Sequence, residues 1–349
     1  MKTVKPNKLN RGDTVAVVSL SWGGPSVYPD VYQKGIEYIQ AVLGLKVKEY
    51  PTALADADYL YHHPEVRATD LNNAFADNEV KAIFSTIGGD DSLRLLPYLD
   101  PQIALENPKI LMGYSDTTIS NTYYNHCGLV TFNGPAIMAG LAQASNLGQD
   151  YQKHISDLLF GENLLNGYEY PKFSKFTNGY ADWKNLENSN KVKGWQNATG
   201  MNWIQGKATT GELYGGCIEV LEFLKGTKYW PGNDFWEGKI LFLETSEDKP
   251  SITQLKYFLR NYGLMGVFDK VAAVIFGRAR DYLVKEKKEL DEMIEKVICQ
   301  EFGNKKITIV TDLDFGHTDP QIILPLGIEA KLDPEGHTFS LLESPYSDN

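Results

Sequence analysis

The feature that most constrains the fold is a regular alternation of short apolar runs with amphipathic stretches over residues 1–135. The amphipathic stretches carry apolar residues at spacings of three and four, as a helix with one buried face does. Such alternation is typical of βαβ units around a parallel sheet. The predicted strands are Thr14–Leu20, Lys46–Tyr50, Val80–Ile87, Lys109–Ser115 and Leu129–Asn133, and the predicted helices are Val31–Leu43, Pro64–Asp77, Asp91–Tyr98 and Thr117–His126. We therefore expect an N-terminal, doubly wound, flavodoxin-like α/β domain.

The periodicity fades from about Asn163 to Ala208 and then returns. We expect three parts: an N-terminal domain at 1–162, a connecting segment at 163–208, and a smaller C-terminal α/β domain with a mixed, barrel-like sheet at 209–349. Its predicted strands are Lys239–Glu244, Val271–Phe276, Ile307–Leu313, Ile328–Leu332 and Thr338–Leu342, and its predicted helices are Gly216–Leu224, Thr253–Tyr262 and Lys285–Glu301. Long connections of this kind are usually functional lids or linkers. Trp183, Trp195 and Trp203 favour a packed or ligand-facing segment here.

Charge and composition exclude several classes of protein. A net charge of -11 over 349 residues argues against a nucleic-acid partner, because nucleic-acid binders present a basic face. The first apolar run is too short for a signal peptide or a membrane span. Three cysteines without metal-like spacing suit a reducing compartment. We expect a cytoplasmic protein that needs no metal, cofactor or membrane.

The segment Gly113-Tyr-Ser-Asp116 ends a predicted strand and leads directly into a helix. A serine at such a turn projects its hydroxyl above the sheet, while the N–H of the next residue points to the same space. Ser115 is thus a candidate nucleophile and Asp116 a candidate oxyanion donor. A helix cap is the alternative, since serine and aspartate are common there. The second glycine of the G-x-S-x-G elbow is absent.

A second strand end carries Gly88 and Gly89. Glycines there let the backbone approach a ligand closely, so the Gly89 N–H is a candidate second oxyanion donor and Gly88 a candidate substrate contact. A tight turn explains the pair equally well.

His317 is the best candidate base, because it lies in a loop after an apolar strand, where catalytic residues are often found. His126 competes with it from the end of a helix. The third member of a triad should be a carboxylate that orients the imidazole. Glu244, after four apolar residues at a strand end, fits best, and Asp312, Asp314 and Asp319 remain substitutes.

These motifs, in this order and spacing, resemble the LD-carboxypeptidase and microcin C immunity family of serine peptidases along nearly the whole chain. The resemblance implies a Ser115–His317–Glu244 triad, an oxyanion hole of the Gly89 and Asp116 N–H groups, and a homodimer. Family members either remove D-alanine from murein tetrapeptides or cut the amide between an aminoacyl or peptidyl group and a nucleotide-like moiety. The length and the aromatic connection of this chain resemble the second type.

In that type an aromatic-bearing loop stacks on the base, so Trp183, Trp195 and Trp203 are candidate substrate contacts. Cys217 occupies a position where the family usually has asparagine, and it is a further candidate contact. Two other functions stay open: a two-domain protein that binds a small ligand without chemistry, and an enzyme similar to glutamine amidotransferases. The latter would need a cysteine where Ser115 stands.

Overall fold

The computed structural model describes residues 3–164, 167–179, 183–185, 192 and 194–347. The strands are β1 (Thr14–Val18), β2 (Lys46–Glu49), β3 (Val80–Ser85), β4 (Ile110–Gly113), β5 (Thr131–Asn133), β6 (Tyr168–Glu169), β7 (Lys175–Phe176), β8 (Gln196–Asn197), β9 (Asn202–Gln205), β10 (Thr209–Cys217), β11 (Ile240–Glu244), β12 (Ala273–Gly277), β13 (Thr308–Leu313), β14 (Leu324–Leu326), β15 (Glu329–Asp333) and β16 (Thr338–Leu341). The α-helices are α1 (Gly24–Val27), α2 (Pro29–Glu37), α3 (Ala57–His62), α4 (Pro64–Ala76), α5 (Pro101–Glu106), α6 (Thr118–His126), α7 (Gln149–Phe160), α8 (Ile218–Leu224), α9 (Ile252–Leu264) and α10 (Val284–Glu295).

The first sheet has the order β14-β5-β4-β3-β1-β2. Strands β1 to β5 are parallel, in the flavodoxin-like order, and β14 adds an antiparallel edge from the end of the chain. The predicted doubly wound sheet is confirmed. Strand order reverses between β1 and β3, and open α/β sheets bind ligands beyond the carboxyl ends of strands at such a point.

The second sheet has the order β6-β16-β15-β10-β11-β12-β13-β9. Its centre, β10 to β13, is parallel, and its flanking strands are antiparallel, so the predicted mixed sheet is also confirmed. The described parts of the connecting segment are not a separate layer. Strands β6 and β9 pair with β16 and β13 at the two edges of this sheet, and β7 pairs with β8. The domain boundaries themselves stay a prediction.

One element was predicted wrongly around Gly216. A helix was expected from Gly216, but the structure continues β10 to Cys217 and begins α8 at Ile218. Positions 215 and 216 have no room for a side chain. A Cβ on Gly215 would lie 1.7 Å from Phe242 O, and one on Gly216 would lie 2.4 Å from Thr118 Cγ2. The two glycines thus allow β10 to pass close to β11 and α6, and they bring the two sheets together.

Strand β10 as a whole and helix α7 were also not predicted. The predicted helix at Asp91–Tyr98 is a 3-10 helix at Ser92–Tyr98, and α3, α5 and β14 were not predicted because segments of three to six residues are too short to show a period. Across the described ranges, each helix is too short or too polar to span a lipid bilayer.

Candidate active site

A cavity of about 460 Å³ opens where β1 and β3 end, at the reversal of strand order in the first sheet. Loops of the first sheet supply Trp22, Gly88, Gly89 and Ser115 to its wall. Loops that follow strands of the second sheet supply His317, Glu247 and Asp248. The cavity therefore lies between the two sheets, and neither half of the chain forms it alone.

Ser115 directly follows Tyr114 at the end of β4 and opens a 3-10 turn that leads into α6. Its φ is +58°, a left-handed conformation that costs a non-glycine residue about 1 kcal/mol or more. Non-glycine residues held this way are concentrated at functional turns, including the strand-to-helix elbow that presents a nucleophile. The strained turn exposes the Ser115 side chain to the cavity.

The backbone of Gly88 and Gly89 passes directly over this turn. A Cβ on Gly88 would lie 2.9 Å from Ser115 Oγ and 3.3 Å from Asp116 N, and a Cβ on Gly89 would lie 2.2 Å from Ser21 Oγ. A side chain at Gly88 would fill the space beside the Ser115 hydroxyl, and one at Gly89 would collide with the loop after β1. The structure therefore places the backbone of Gly88 beside Ser115 and Asp116, and Gly89 lines the same cavity.

The side chain of Asp116 joins the two strand-end turns and does not face substrate. Its Oδ2 accepts a hydrogen bond from Ser92 N (2.8 Å), while the Ser92 hydroxyl donates to the Asp116 carbonyl (2.7 Å). The residue is fully buried, and this burial raises the pKa of its carboxyl. Asp116 can thus contribute its backbone N–H while its side chain fixes the geometry of the turn.

A buried ion pair anchors the glycine turn from below. Arg67, which is completely buried, donates to both oxygens of Asp91 at 2.7 and 2.8 Å, and the Ser21 hydroxyl donates to the same carboxylate. A bidentate pair between arginine and carboxylate fixes orientation as well as distance. The turn that carries Gly88 and Gly89 is therefore held rigidly against the loop after β1.

The structure brings His317 and Glu244 together although 73 residues separate them. Glu244 ends β11, and its Oε2 accepts a hydrogen bond from His317 Nδ1 at 2.6 Å, with both side chains almost fully buried. Gly316 makes this approach possible, because a Cβ there would lie 2.6 Å from Glu244 Oε2. With its hydrogen on Nδ1, the imidazole presents Nε2 to the cavity as an acceptor.

The free edge of His317 faces a second carboxylate. Nε2 lies 3.2 Å from Glu247 Oε2, a distance typical of an ion pair, but the atoms are not aligned for a hydrogen bond. Burial lowers the pKa of His317. The negative charges of Glu244, Glu247 and Glu219 outweigh that effect and leave the pKa above its ordinary value. The imidazolium form is thus stabilised, as a base that must hold a proton during reaction requires.

This electrostatic arrangement predicts a pH dependence. His317 accepts a proton only when it is neutral, so activity should fall as the pH drops through its raised pKa. Replacing Glu247 by glutamine removes one of the charges that raise this pKa, and the acid limb of kcat/KM should move to lower pH. Profiles of kcat/KM against pH for both proteins measure the shift. An acid limb that stays in place, or moves to higher pH, would contradict the assignment of His317 as the base.

The three tryptophans of the connecting segment have separate locations. Trp183 lines the cavity, and its ring contacts Tyr28, which in turn contacts Trp22. Trp195 is 40% exposed and lines a different depression, with Leu147 and Pro320. Trp203 lies half-buried on the edge strand β9. Of these three, the structure brings only Trp183 to the cavity.

Cys217 is also outside the cavity lining. It ends β10 in register with Glu244, is fully buried, and directs its Sγ to Glu219 Oε2 at 3.4 Å. Burial raises the pKa of its thiol well above the ordinary value. The structure thus places Cys217 beside Glu244 and outside the cavity lining.

The alternative candidates for the base and the carboxylate of the triad interact with other residues. Asp312 and Asp314 both pair with buried Arg278. Asp319 is buried, which raises its pKa to about 6, and its backbone pairs with Thr177. His126 packs its ring against Phe235. None of these residues lines the cavity in the part of the chain that the structure describes.

Sequence reasoning missed several residues of the lining, above all Trp22, Tyr114, Glu247 and Asp248. The ring of Tyr114 packs edge-on against His317, with centroids 4.8 Å apart. Trp22 lies just beyond the end of β1, at the reversal of strand order, and that position was a usable signal. Glu247 carries no comparable signal, since a glutamate in a polar loop is usually a solvated side chain.

Two family models and several known proteins match this chain. Residues 15–134 match the model of the LD-carboxypeptidase N-terminal domain, and residues 210–332 match that of the LD-carboxypeptidase C-terminal domain. A protein of Vibrio cholerae whose name calls it a carboxypeptidase is 30% identical over 340 residues, covering 95% of this chain and 96% of its own. The chain belongs to the LD-carboxypeptidase family of serine peptidases. Ser115 lies in the first match, and Glu244 and His317 lie in the second.

Other members of the LD-carboxypeptidase family are similar over their whole length. The microcin C7 self-immunity protein MccF of Escherichia coli is 29% identical over 95% of this chain and 94% of its own. A Bacillus subtilis protein named as a murein peptide carboxypeptidase is 26% identical over 94% of this chain and 91% of its own. The structure of MccF with glutamyl sulfamoyl guanosine superposes with a TM-score of 0.84 at 26% identity, covering 98% of this chain and 99% of that one. MccF has also been solved with aspartyl sulfamoyl adenosine.

Proposed function

We propose that this peptidase hydrolyses an amide through a Ser115–His317–Glu244 triad, with an aminoacyl or peptidyl group on one side of the bond and a nucleotide-like moiety on the other. The observation that supports it most is the buried hydrogen bond of 2.6 Å between Glu244 and His317, beside a cavity into which a strained turn projects Ser115. A protein that only binds a ligand has no need of an oriented imidazole next to an exposed serine.

The reaction follows the usual order for a serine nucleophile. Ser115 Oγ attacks the carbonyl carbon as His317 Nε2 takes its proton, and the N–H groups of Gly89 and Asp116 stabilise the negative oxygen. The imidazolium, held by Glu244, then protonates the leaving nitrogen. Water then attacks the acyl carbon as His317 takes one of its protons, and His317 passes that proton to Ser115 Oγ as the carboxylic acid leaves. Each step uses residues of this chain alone.

The nucleotide-like leaving group is supported by the aromatic wall of the cavity. Trp183 and Trp22 lie on the same side, joined through Tyr28, and flat rings of this kind stack on a base. MccF, which superposes over nearly the whole chain, holds aminoacyl sulfamoyl nucleosides. The alternative is removal of D-alanine from a murein tetrapeptide, and similarity to the B. subtilis protein named as a murein peptide carboxypeptidase supports it.

A direct comparison of two substrates tests the proposal. We expect the protein to cleave alanyl sulfamoyl adenosine, whose acyl side chain is small and uncharged, and to leave a murein tetrapeptide nearly intact. Mass spectrometry of the products measures both reactions in the same sample. Release of D-alanine in place of the adenosine product would assign the chain to the murein type. Binding of either compound without cleavage would favour a protein that only binds ligands.

Three further expectations remain predictions: the homodimer, the cytoplasmic location, and the small-molecule character of the substrate. Nothing in the reaction above depends on the first two.

A further inference from the structure

We infer that the carboxylates at the mouth of the cavity select acyl groups with a positively charged side chain, such as lysyl or ornithyl. This inference rests on the proposed function, since it names the substrate class of the same site. Among the described residues that line the cavity, the charged side chains are Asp90, Glu247 and Asp248, and the only group able to carry positive charge is His317. A negative acyl group would meet three like charges there.

Glu247 lies close to the position of the bond that is cut. Its Oε2 is 3.2 Å from His317 Nε2, the atom that must reach both Ser115 Oγ and the leaving nitrogen. A carboxylate at that distance lies beside the reacting bond, within reach of the residue on its acyl side. His317 Nε2 is buried and makes no hydrogen bond with any described residue, so its hydrogen-bonding position remains available to a reacting group that enters beside Glu247.

The loop that carries Glu247 is held in place from behind. Ser246 donates from both its backbone N–H and its hydroxyl to Glu219 Oε1, at 2.9 and 2.8 Å. Glu219 is itself mostly buried and stands behind Glu244. The side chain of Glu247 remains 54% exposed on this anchored loop. Its carboxylate is therefore positioned by the fold and still open to an incoming substrate.

Lys249, Arg67 and Arg94 pair with other carboxylates and not with these three. Lys249, two residues beyond Glu247, turns to Glu286 at the start of α10, with Nζ 2.8 Å from Oε2. On the opposite side, Arg67 and Arg94 both pair with Asp91 and not with Asp90. No ion pair within the described ranges involves Asp90 or Asp248. Asp90 and Asp248 are thus left for the substrate to complement, together with the part of the Glu247 carboxylate that does not face His317.

The physical consequence is a preference set by charge. Exposed opposite charges at contact distance contribute modestly, and like charges at contact distance cost at least as much. We expect each change of side-chain charge, from negative to neutral and from neutral to positive, to raise kcat/KM by about tenfold. MccF, by contrast, has been solved with glutamyl and aspartyl compounds, whose side chains are acidic.

The experiment compares lysyl, norleucyl and glutamyl sulfamoyl adenosine, which differ chiefly in the charge of the acyl side chain. For wild type, kcat/KM should decrease in that order. In the double variant Glu247→Gln/Asp248→Asn, the ratio of lysyl to norleucyl should decrease about tenfold. Ratios are used because they cancel any change in His317 basicity. Glu335→Gln, which removes one exposed negative charge far from the cavity lining, should leave the ratio unchanged.

Two results would overturn the inference while leaving the proposed function intact: cleavage of the glutamyl compound as fast as the lysyl compound, or a ratio that the double variant does not change. An equal decrease of the lysyl-to-norleucyl ratio in Glu335→Gln would also overturn the inference, because overall charge would then explain the preference. If wild type cuts none of the three compounds, the proposed function fails and the inference fails with it.

Discussion

Replacing Ser115 by alanine should lower kcat/KM by about 10⁴-fold or more, because the reaction loses its nucleophile. A residual rate remains, since the oxyanion donors and the binding contacts still act on a water molecule. The variant should fold normally, as the hydroxyl of Ser115 points into the cavity and not into the core. Initial rates on the cleaved substrate, together with the free energy of unfolding in denaturant, measure both parts.

A second variant separates the chemistry of Ser115 from its backbone. Its φ of +58° is unfavourable for serine and alanine but not for glycine. Ser115→Gly should therefore be as inactive as Ser115→Ala, yet more stable than Ser115→Ala by about 1 kcal/mol. Substantial activity in either variant would exclude Ser115 as the nucleophile. A less stable glycine variant would contradict the strain at the turn.

Replacing Glu244 by glutamine should lower kcat by about 10³- to 10⁴-fold with little change in KM. The amide preserves the shape of the side chain but removes the charge that stabilises the His317 imidazolium. Its NH₂ group also allows the opposite tautomer of the imidazole, in which Nε2 carries the hydrogen and accepts no proton from Ser115. Steady-state kinetics at a pH above the acid limb measure the loss.

The control for this variant is Glu237→Gln, which removes an exposed carboxylate paired with Lys270 on the protein surface. It should leave kcat unchanged. Near-normal kcat in Glu244→Gln would mean that the charge of Glu244 is not used, despite its contact of 2.6 Å with His317. Equal losses in both variants would indicate a general effect of charge on stability.

Much of the fold could be predicted from local pattern. The apolar runs that became β1, β3 to β5 and β11 to β13 are largely buried on both faces, so their composition alone distinguishes them from the amphipathic helices between them. Edge elements were harder, because β6, β8 and β9 are short and partly exposed and carry no run of apolar residues. Strand β10 was not predicted, because its glycines pack closely against their neighbours and show no apolar period.

The candidate site divides in the same way. Ser115, Gly88 and Gly89 could be identified because each directly follows an apolar strand, where the sequence itself marks a turn. His317 and Glu244 could be named as types of residue at strand ends, but their contact depends on β11 and on a loop 73 residues later meeting in space.

By itself, then, the amino-acid sequence determined the alternation of strands and helices and the strand ends that carry polar residues, since both follow from interactions between residues close in the chain. Only the tertiary structure decided which side chains share the cavity. It selected Trp183 over Trp195 and Trp203, added Trp22 and Glu247, and placed Cys217 beside Glu244. The reason is that a lining is made where loops from two sheets converge, and that convergence is set by long-range strand pairing and close glycine contacts that no local pattern records.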